Sequence, residues 1–575
     1  MPRPKPVPTA PPLAPAAALR ALVRIHREYG PGLAARKGAL LARLAGARLA
    51  TAREVLRLHE CLAFLRAYPD DRAVLARVEA MMAAFAERAD LRRHARALEN
   101  SGLAGTVTRF RFFEPTARWL ARAWPDRLRV DWDTWGAGAA DLDHVLPALA
   151  LWAETPALDE WDLGTRAWIE RLKGPNETDG TFLVRRFAGA FGPLAELREK
   201  VWDRIEPPLL LEPGPGGPSR TRAFHPRAPR ALQRGALRRG RPDLAAALAQ
   251  PPRAVRALSP VEGERVIALA REAMVARSRD LDAFSHGDPR DVRMVDVGDG
   301  YAFAAIGVKP EKRLLLEAVY AFLTLKNGVP IGYVLNSALC HSAEIAYNVF
   351  ETYRGAEAGV VYGRVLATVR HLFGCDHFTI YPYQLGQDNA EAIASGAWWF
   401  YQKLGFRPRD PGAIALMERE LARMRRNPRH RSARATLVAL ADHNLFFASG
   451  PPRDDVMGVL PFAQVGGAVS AMLARRFGAD RERGARECEA EALGLLGLAS
   501  LRGWSAGERL AFERWAPLVT LLPGIGGWSA AERAAAADVI RAKGGRRESD
   551  FVWRFDEHAR LRAAVTALAQ GDAGA

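Results

Sequence analysis

The sequence predicts a mixed α/β domain, with helices around a largely antiparallel sheet, flanked by mainly α-helical N- and C-terminal regions. Three observations support this prediction. Five strand-like segments follow one another between residues 292 and 350. Asn327-Gly328 separates two apolar runs, which is the pattern of a tight hairpin. In the segments before and after these strands, apolar residues recur at three- and four-residue intervals, as in amphipathic helices.

The domain organisation follows from changes in composition along the chain. At 575 residues, the chain is long enough for about three or four domains. Its start is rich in proline and alanine and lacks the apolar core of a secretory signal. We expect five regions: a disordered arm at 1–16, a mainly helical N-terminal domain at 17–205, a Pro/Arg-rich linker at 206–258, the α/β domain at 259–412 and a helical C-terminal region at 413–575.

The linker prediction rests on the density of proline and glycine in this span, which disfavours regular helix. We expect this span to pack poorly, because its composition cannot bury enough apolar surface to offset the entropy of ordering. Within residues 17–205, the segment Thr106–Phe113 predicts a strand. The rest of that region shows helical spacing.

The start of the α/β domain has a clear helix signal. Ser259 is suited to cap the helix, Pro260 suits its first position, and Glu262 completes a capping box. We expect this helix to reach about Phe284. The predicted strands follow in the order VRMVDV, YAFAAIGV, AVYAFLTL, IGYVLNSAL and EIAYNVF.

The second half of this domain alternates between helix and strand. A helix is predicted from about Val361 to Phe373, a strand at HFTIYPY (377–383) and a helix at AIASGAWWFYQKLGF (392–406). Residues 411–426 again predict a helix, so no closing strands are evident after Phe406.

Charge and cysteine content narrow the classes of function. The formal charge is +17, and ten arginines with a single acid lie between Arg220 and Arg256. Two interpretations stay open for this segment: a solvated linker, or a contact with nucleic acid or another anionic surface. The four cysteines are far apart and form no CxxC pair, so we expect no disulfide framework or zinc cluster and a cytoplasmic location.

A membrane span is not expected. The longest uncharged run, Val456–Ala474, contains glycine and proline and is poor in leucine. A spanning helix needs about 20 predominantly apolar residues. This run therefore favours a buried helix of a soluble protein.

One stretch has the features of an anion site. The loop from Arg354 to Val360 lies between the strand EIAYNVF and the next predicted helix, and most of its residues are small. A helix N-terminus presents unpaired amide hydrogens and a partial positive charge, which favour a diphosphate. An ordinary strand-to-helix turn would show the same small residues.

The order of motifs between about Ala321 and Pro408 resembles that of the GNAT family of acyl-CoA-dependent N-acyltransferases. In that family a strand ends at an Arg-Gly loop that holds the CoA pyrophosphate. An Asn-containing loop follows, and then a helix that ends in Tyr-x-Lys-x-Gly-Phe. The segments AEIAYNVFETYRG, DNAEAI and FYQKLGF match these features in order.

The resemblance implies acetyl-CoA or another acyl-CoA as co-substrate, no metal, and a small-molecule or protein amine as acceptor. The implied CoA-binding residues are Val349, Arg354, Gly355, Ala356, Ala358, Gly359, Val360 and Asn389. Glu357 departs from the family pattern, because it occupies the position of a glycine and would repel a pyrophosphate. Tyr401 also lies twelve residues after Asn389 in the sequence, a longer spacing than is usual in the family.

Acyl transfer to an amine requires a base for the ammonium, and an acid for the leaving thiolate. The resemblance assigns Glu344 as the base and Tyr401 as the acid, with Glu351 as a weaker candidate base. From the residues alone, Glu344 also fits a strand-end surface carboxylate, and Tyr401 a core aromatic. Two other functions stay open: a binding or regulatory protein that has lost turnover, and a nucleic-acid-associated protein that uses the basic linker.

Overall fold

The computed structural model describes residues 13–136, 138–161, 163–192 and 194–571, so most of the predicted arm at 1–16 lies outside the described residues. The chain divides into two compact units. The first comprises Met1–Leu237, Ala268–Ser285 and Lys326–Pro330. The second comprises Arg238–Ile267, His286–Leu325 and Ile331–Ala575.

The first unit begins with helices, as predicted. They are α1 (Pro15–Ile25), α2 (Leu33–Ala45), α3 (Ala52–Ala67), α4 (Arg72–Ala83) and α5 (Ala89–Arg93). Their apolar faces meet in one core, in which Leu22, Leu41, Leu58 and Val78 are fully buried. Thr51 and Glu54 form a capping box at the start of α3.

The rest of the first unit combines short helices with a small sheet. The helices are α6 (Glu114–Ala123), α7 (Gly138–Leu149), α8 (Thr155–Glu160), α9 (Thr165–Leu172), α10 (Asp179–Ala190) and α11 (Ala195–Ile205). The strands are β1 (Thr108–Phe110), β2 (Leu128–Val130) and β3 (Leu209–Leu211), antiparallel in the order β1-β3-β2. The strand predicted at Thr106–Phe113 is therefore present, but it is shorter.

The span predicted as a poorly packed linker is structured. It contains β3, helix α12 (Leu244–Leu248) and strand β4 (Ala254–Ala257). Leu209, Leu237 and Leu244 are buried. Burial of these leucines outweighs the local preference of proline and glycine at their positions. Many other residues of the span, including all of β4, are exposed, so the span is packed only in part.

A nine-stranded sheet forms the centre of the second unit, in the order β11-β12-β10-β9-β8-β7-β6-β5-β4. Its remaining strands are β5 (Gly287–Gly298), β6 (Tyr301–Val308), β7 (Ala318–Lys326), β8 (Val329–Leu339), β9 (Ser342–Val349), β10 (His377–Ile380), β11 (Arg407–Pro408) and β12 (Leu445–Ala448). β9 and β10 run parallel, whereas β4-β5, β5-β6, β8-β9, β10-β12 and β11-β12 pair antiparallel. This arrangement confirms a mixed, largely antiparallel sheet.

Two local signals are confirmed and one boundary is corrected. Asn327 (φ 52°) and Gly328 (φ 84°) both take left-handed conformations in the turn between β7 and β8. Helix α13 (Pro260–Val275) starts with reciprocal hydrogen bonds between Ser259 and Glu262. It ends well before Phe284, because the left-handed Ser278 interrupts it before the short helix α14 (Asp282–Ser285).

The sheet extends past both predicted boundaries of the 259–412 domain. β4 precedes residue 259, and β12 follows two helices, α19 (Pro411–Arg426) and α20 (Arg434–Ala441). β12 pairs with β10 from Ile380↔Leu445 to His377↔Ala448. A strand after Phe406 that closes this edge is therefore present, but it lies two helices further along the chain. It forms a strand because it pairs with β10, which is distant in sequence. The region 413–575 is thus helical except for β12.

The last helices belong to the same unit as the sheet. They are α21 (Ala463–Phe477), α22 (Arg481–Leu496), α23 (Ala506–Val519), α24 (Ala530–Lys543), α25 (Glu548–Glu557) and α26 (Ala559–Gln570). In α21 only Val465 and Met472 are buried, so the uncharged run is more exposed than expected. No described helix combines the length and the apolar character that crossing a membrane requires.

Candidate functional site

The parallel strands β9 and β10 separate along their length. They pair over three positions, from Ser342↔His377 to Glu344↔Thr379. Beyond Glu344, β9 continues to Val349, whereas β10 ends at Ile380 and the chain turns into helix α16 (Pro382–Leu385). A proline at this point cannot donate a ladder hydrogen bond. A notch therefore opens beside the last five residues of β9.

A cavity of about 270 Å³, here called the notch cavity, lies at this opening. The end of β9 lines it together with residues of four helices, α15 (Ala358–Phe373), α16, α17 (Ala390–Ser395) and α18 (Ala397–Leu404). Six of the residues expected from the sequence line it: Val349, Arg354, Gly355, Ala358, Asn389 and Tyr401. Asn348, Gln384 and Phe400 also line it, and sequence reasoning missed them.

The structure leaves the other expected CoA-binding residues outside the lining. Ala356 is buried, and its backbone N–H donates to the Tyr353 carbonyl at 3.2 Å. Gly359 faces the segment before α12, since a Cβ placed on it would lie 3.0 Å from Cδ of Pro242. Val360 follows Gly359 and is not a lining residue. The segment around Pro242 thus covers this side of the helix start.

Glu357 does not face the notch cavity. Its carboxylate accepts a hydrogen bond from the Tyr301 hydroxyl at 2.7 Å and another from the backbone N–H of Arg238 at 3.0 Å. Nε of Arg238 lies 3.3 Å from the same carboxylate. The side chain is buried and makes no capping bond to α15, although Glu357 precedes the helix. The repulsion expected between Glu357 and a bound anion is therefore directed away from the cavity and offset by Arg238.

Two polar groups organise the rim of the cavity. Arg354 donates from Nε to the Val349 carbonyl at 3.2 Å, and its terminal nitrogen pairs with Glu391. Asn389 accepts a hydrogen bond from the Ala392 amide at 3.0 Å and so caps α17. Because Arg354 and Glu391 are both half-exposed, their ion pair is weak enough to exchange with an anionic ligand.

Tyr401 is both a core aromatic and a cavity residue. Its ring packs edge-on against Tyr362 and Phe406, with centroids at 5.5 and 5.9 Å. Burial raises the pKa of its hydroxyl, and a hydrogen bond with the backbone of Tyr347 acts in the opposite direction. The hydroxyl therefore keeps its proton near neutral pH, which a general acid requires.

Glu344 lies at the last paired position before the notch and is not a lining residue. It is partly buried, and burial with the nearby charge of Glu317 raises its pKa to about 7. Side chains alternate along a strand, so Glu344 lies on the opposite face from Tyr347, which packs against Tyr362 of α15. The two predicted catalytic groups, Glu344 and Tyr401, therefore lie on opposite faces of the sheet.

A second tyrosine accompanies Glu344. Tyr381 directly follows β10, and burial together with the charges of Glu344 and Glu317 raises its pKa to about 12. Its position two residues after Thr379 puts it on the same face as Glu344. Neither Glu317 nor Tyr381 carried a signal in the sequence. Tyr381 comes close to Glu344 through the pairing of β9 with β10, and Glu317 directly precedes β7, on the other side of β8.

The arginines of the predicted linker are engaged within their own units. In the first unit Arg220 pairs with Glu60. In the second unit Arg256 pairs with Glu262, and Arg238 pairs with Asp299 as well as with Glu357. These contacts offset part of the local positive charge, so they reduce but do not remove the basic character of this segment.

Comparison of the chain with protein-family models, with curated proteins and with solved structures gives no match. Among the described residues, no group of three or more His, Cys, Asp or Glu side chains is placed to hold a metal ion. The notch cavity and the groups around it are therefore the features of this chain that bear on its function.

Proposed function

We propose that this protein transfers an acyl group from acetyl-CoA or another acyl-CoA to an amine, as its resemblance to the GNAT family implies. The observation that carries the proposal is the notch cavity beside the last residues of β9. It is lined by the first residue of α15 and also by Tyr401. An anion-binding helix start and a proton donor thus share one cavity, and the partly buried carboxylate of Glu344 lies at the last paired position before the notch, on the opposite face of β9.

The diphosphate of CoA is expected at the start of α15. Gly355 has a φ of 71°, a left-handed conformation that glycine adopts without strain and that turns the loop into the helix. The amides of the first helical turn favour an anion there. Arg354 lies on the rim and offers a guanidinium to the same group once its pair with Glu391 opens.

The extended part of CoA is expected along β9. Past Glu344, this strand presents an edge that β10 does not pair within the described residues. Such an edge offers N–H and C=O groups to an extended partner. An acyl thioester on this path would approach Tyr401, whose hydroxyl meets the backbone of Tyr347 on the same strand.

In the proposed reaction, Glu344 accepts a proton from the acceptor's ammonium group, whose reference pKa is ~10.4. The amine nitrogen then bonds to the thioester carbon, and the carbon–sulfur bond breaks. Tyr401 gives its proton to the departing thiolate, and the acylated nitrogen then loses its second proton, which restores the Tyr401 hydroxyl and leaves a neutral amide. A carboxylate with a pKa of about 7 is suited to this role, because it is substantially ionised at neutral pH and still holds a proton well.

The test is calorimetric titration of the full chain with acetyl-CoA, using Ala358→Asp as the diagnostic variant. Aspartate in a first helical turn stabilises the helix, so the fold should be retained. Its charge would oppose a diphosphate and should weaken binding about tenfold or more. Ala530→Asp, at the exposed first position of α24, is the matched control and should bind like the parent.

Failure of the parent to bind any acyl-CoA would overturn the proposal. If Ala358→Asp and Ala530→Asp weakened acetyl-CoA binding equally, the diphosphate would not bind at the start of α15. Binding without transfer to polyamines, amino acids, aminoglycosides or peptide lysines would favour a binding protein that has lost turnover.

A further inference from the structure

A second and larger cavity, here called the basic cavity, lies between α18 and the segment that joins α19 to α20. Its volume is about 720 Å³. Ser395 and Phe400 line both this cavity and the notch cavity. The charged side chains among its described lining residues are Lys403, His430 and Arg431. Carboxylates do not occur among these lining residues, so the cavity suits an anion.

A buried hydrogen-bond network holds one wall of the basic cavity. The carboxylate of Glu420, 1% exposed, accepts hydrogen bonds from Ser432 at 2.6 Å, His430 at 2.9 Å and Arg423 at 2.7 Å. The indole N–H of Trp399 donates to the Ser432 hydroxyl at 3.1 Å. Burial alone would raise the pKa of Glu420, but these three hydrogen bonds hold it below its usual value. The wall is therefore preorganised before any ligand arrives.

Two permanent cations face this wall. Arg431 is anchored by hydrogen bonds to the carbonyls of Pro428, at 3.1 Å, and His430, at 2.8 Å. Lys403 projects from the exposed side of α18. A guanidinium, an ammonium and an imidazole around one cavity offer the positive charge and the hydrogen-bond donors that a phosphate monoester requires.

We propose that the basic cavity binds a phosphate monoester. One source is the terminal 3′-phosphate of a CoA molecule whose thioester end lies in the notch cavity, and this version rests on the proposed function. The other source is a separate phosphorylated small molecule. At about 270 Å³ the notch cavity is smaller than typical ligand pockets of ~300–1,000 Å³, so a bound CoA has to extend beyond it. Ser395 and Phe400 form the shared boundary through which it would reach the basic cavity.

The experiment compares CoA with dephospho-CoA, which lacks only the 3′-phosphate, by calorimetry on the full chain. The parent should bind CoA roughly 10- to 100-fold more tightly, as expected for hydrogen bonds to a charged group. The double variant Lys403→Gln/Arg431→Gln should lose this preference while keeping its affinity for dephospho-CoA. Arg425→Gln/Arg429→Gln removes the same charge from exposed positions that do not line the cavity, and it should behave like the parent.

Adenosine 3′,5′-bisphosphate separates the two sources. If it displaces CoA and its binding requires Lys403 and Arg431, the phosphate belongs to CoA. If it binds in the presence of saturating dephospho-CoA and needs the same two residues, the ligand is a separate molecule. If neither CoA nor dephospho-CoA binds, the proposed acyl transfer fails, yet bisphosphate binding that is lost in the double variant still supports the phosphate site. Equal affinity of the parent for CoA and dephospho-CoA, without binding of the bisphosphate, overturns the proposal.

Discussion

Two carboxylates of the second unit, the partly buried Glu344 and the fully buried Glu548, lie in opposite electrostatic surroundings. Glu548 is fully buried. Its carboxylate lies 2.7 Å from Nζ of Lys543 and 3.9 Å from Nε of Arg313. Burial raises its pKa, and the charges of Lys543 and Arg313 act against that rise. For Glu344, the charge that adds to burial is that of another acid, Glu317, so the pKa rises to about 7.

The difference indicates separate roles for the two acids. A buried acid enclosed by cations belongs to the structure, because removing one partner leaves an uncompensated charge. A buried acid beside a like charge costs stability, and such groups concentrate at functional sites. Loss of Glu344 should therefore impair activity without unfolding the protein. Loss of Glu548 should instead destabilise the fold.

The largest expected effect is that of Glu344→Gln on acyl transfer. Glutamine keeps the volume and removes the basicity, so turnover near neutral pH should fall about 100- to 10,000-fold. Acetyl-CoA affinity should stay the same, because Glu344 does not line the notch cavity. Glu351→Gln, an exposed position past the end of the same strand, is the control and should retain turnover. Parental rates for Glu344→Gln would refute the assignment.

The pH dependence tests the same carboxylate independently. Parental kcat/KM should rise with pH through about 7 as Glu344 ionises, and the glutamine variant should lack this rise. The folded-state pKa lies above the ordinary value of a glutamate, so this group's contribution to stability falls as pH rises through about 7. Glu344→Gln should then be at least as stable as the parent above pH 7. A thermal-unfolding midpoint clearly below that of the parent would place Glu344 with the structural acids.

Glu548→Gln tests whether the second carboxylate stabilises the fold. Removing this charge leaves Lys543 buried without its acid, which should lower the free energy of unfolding by about 3–5 kcal/mol. Urea unfolding followed by tryptophan fluorescence measures the change. Glu557→Gln, exposed on the same helix, should change it little, whereas Lys543→Met/Glu548→Leu should recover part of the loss. A small effect of Glu548→Gln would mean that the pair contributes little.

Tyr401→Phe tests the proposed proton donor, and the expected loss of turnover is smaller than for Glu344→Gln. The variant lacks the proton for the leaving thiolate, and we expect turnover to fall ~100-fold, the lower end of acid–base contributions. Tyr362→Phe is the matched control, because that hydroxyl is buried beside Tyr401 and has no hydrogen-bond partner among the described residues. Steady-state rates at saturating acetyl-CoA measure both variants. Equal losses in the two would indicate a packing effect.

The features that the sequence predicted correctly are encoded locally. The hairpin needs only Asn327 and Gly328, and the start of α13 needs only Ser259 and Glu262. Both signals depend on residues within one turn of the chain. The run of strands before β9 was predicted for the same reason, since alternation and β-branched content are read over a few residues.

The features that the sequence did not predict depend on distant partners. β12 is a strand because it pairs with β10, and the preceding helices give no indication of this. The same holds for the direction of Glu357, which is set by Tyr301 and Arg238. The sequence therefore predicted site residues on a strand, two loops and a helix, but it did not predict that the side chain of Glu357 turns away from the cavity.

The smallest expected effect concerns the rim of the notch cavity. Arg354 pairs with Glu391 there, so a bound diphosphate has to compete with a carboxylate for the guanidinium. Glu391→Gln removes this competition and should tighten acetyl-CoA binding severalfold, consistent with ~0.2–1 kcal/mol for an exposed ion pair. Glu418→Gln, exposed on α19, makes the same charge change away from the cavity and should leave the affinity unaltered. Calorimetry at low and high salt should show the gain shrinking as screening increases. Weaker binding by Glu391→Gln would instead indicate that Glu391 positions Arg354 for the ligand, and that the two act together.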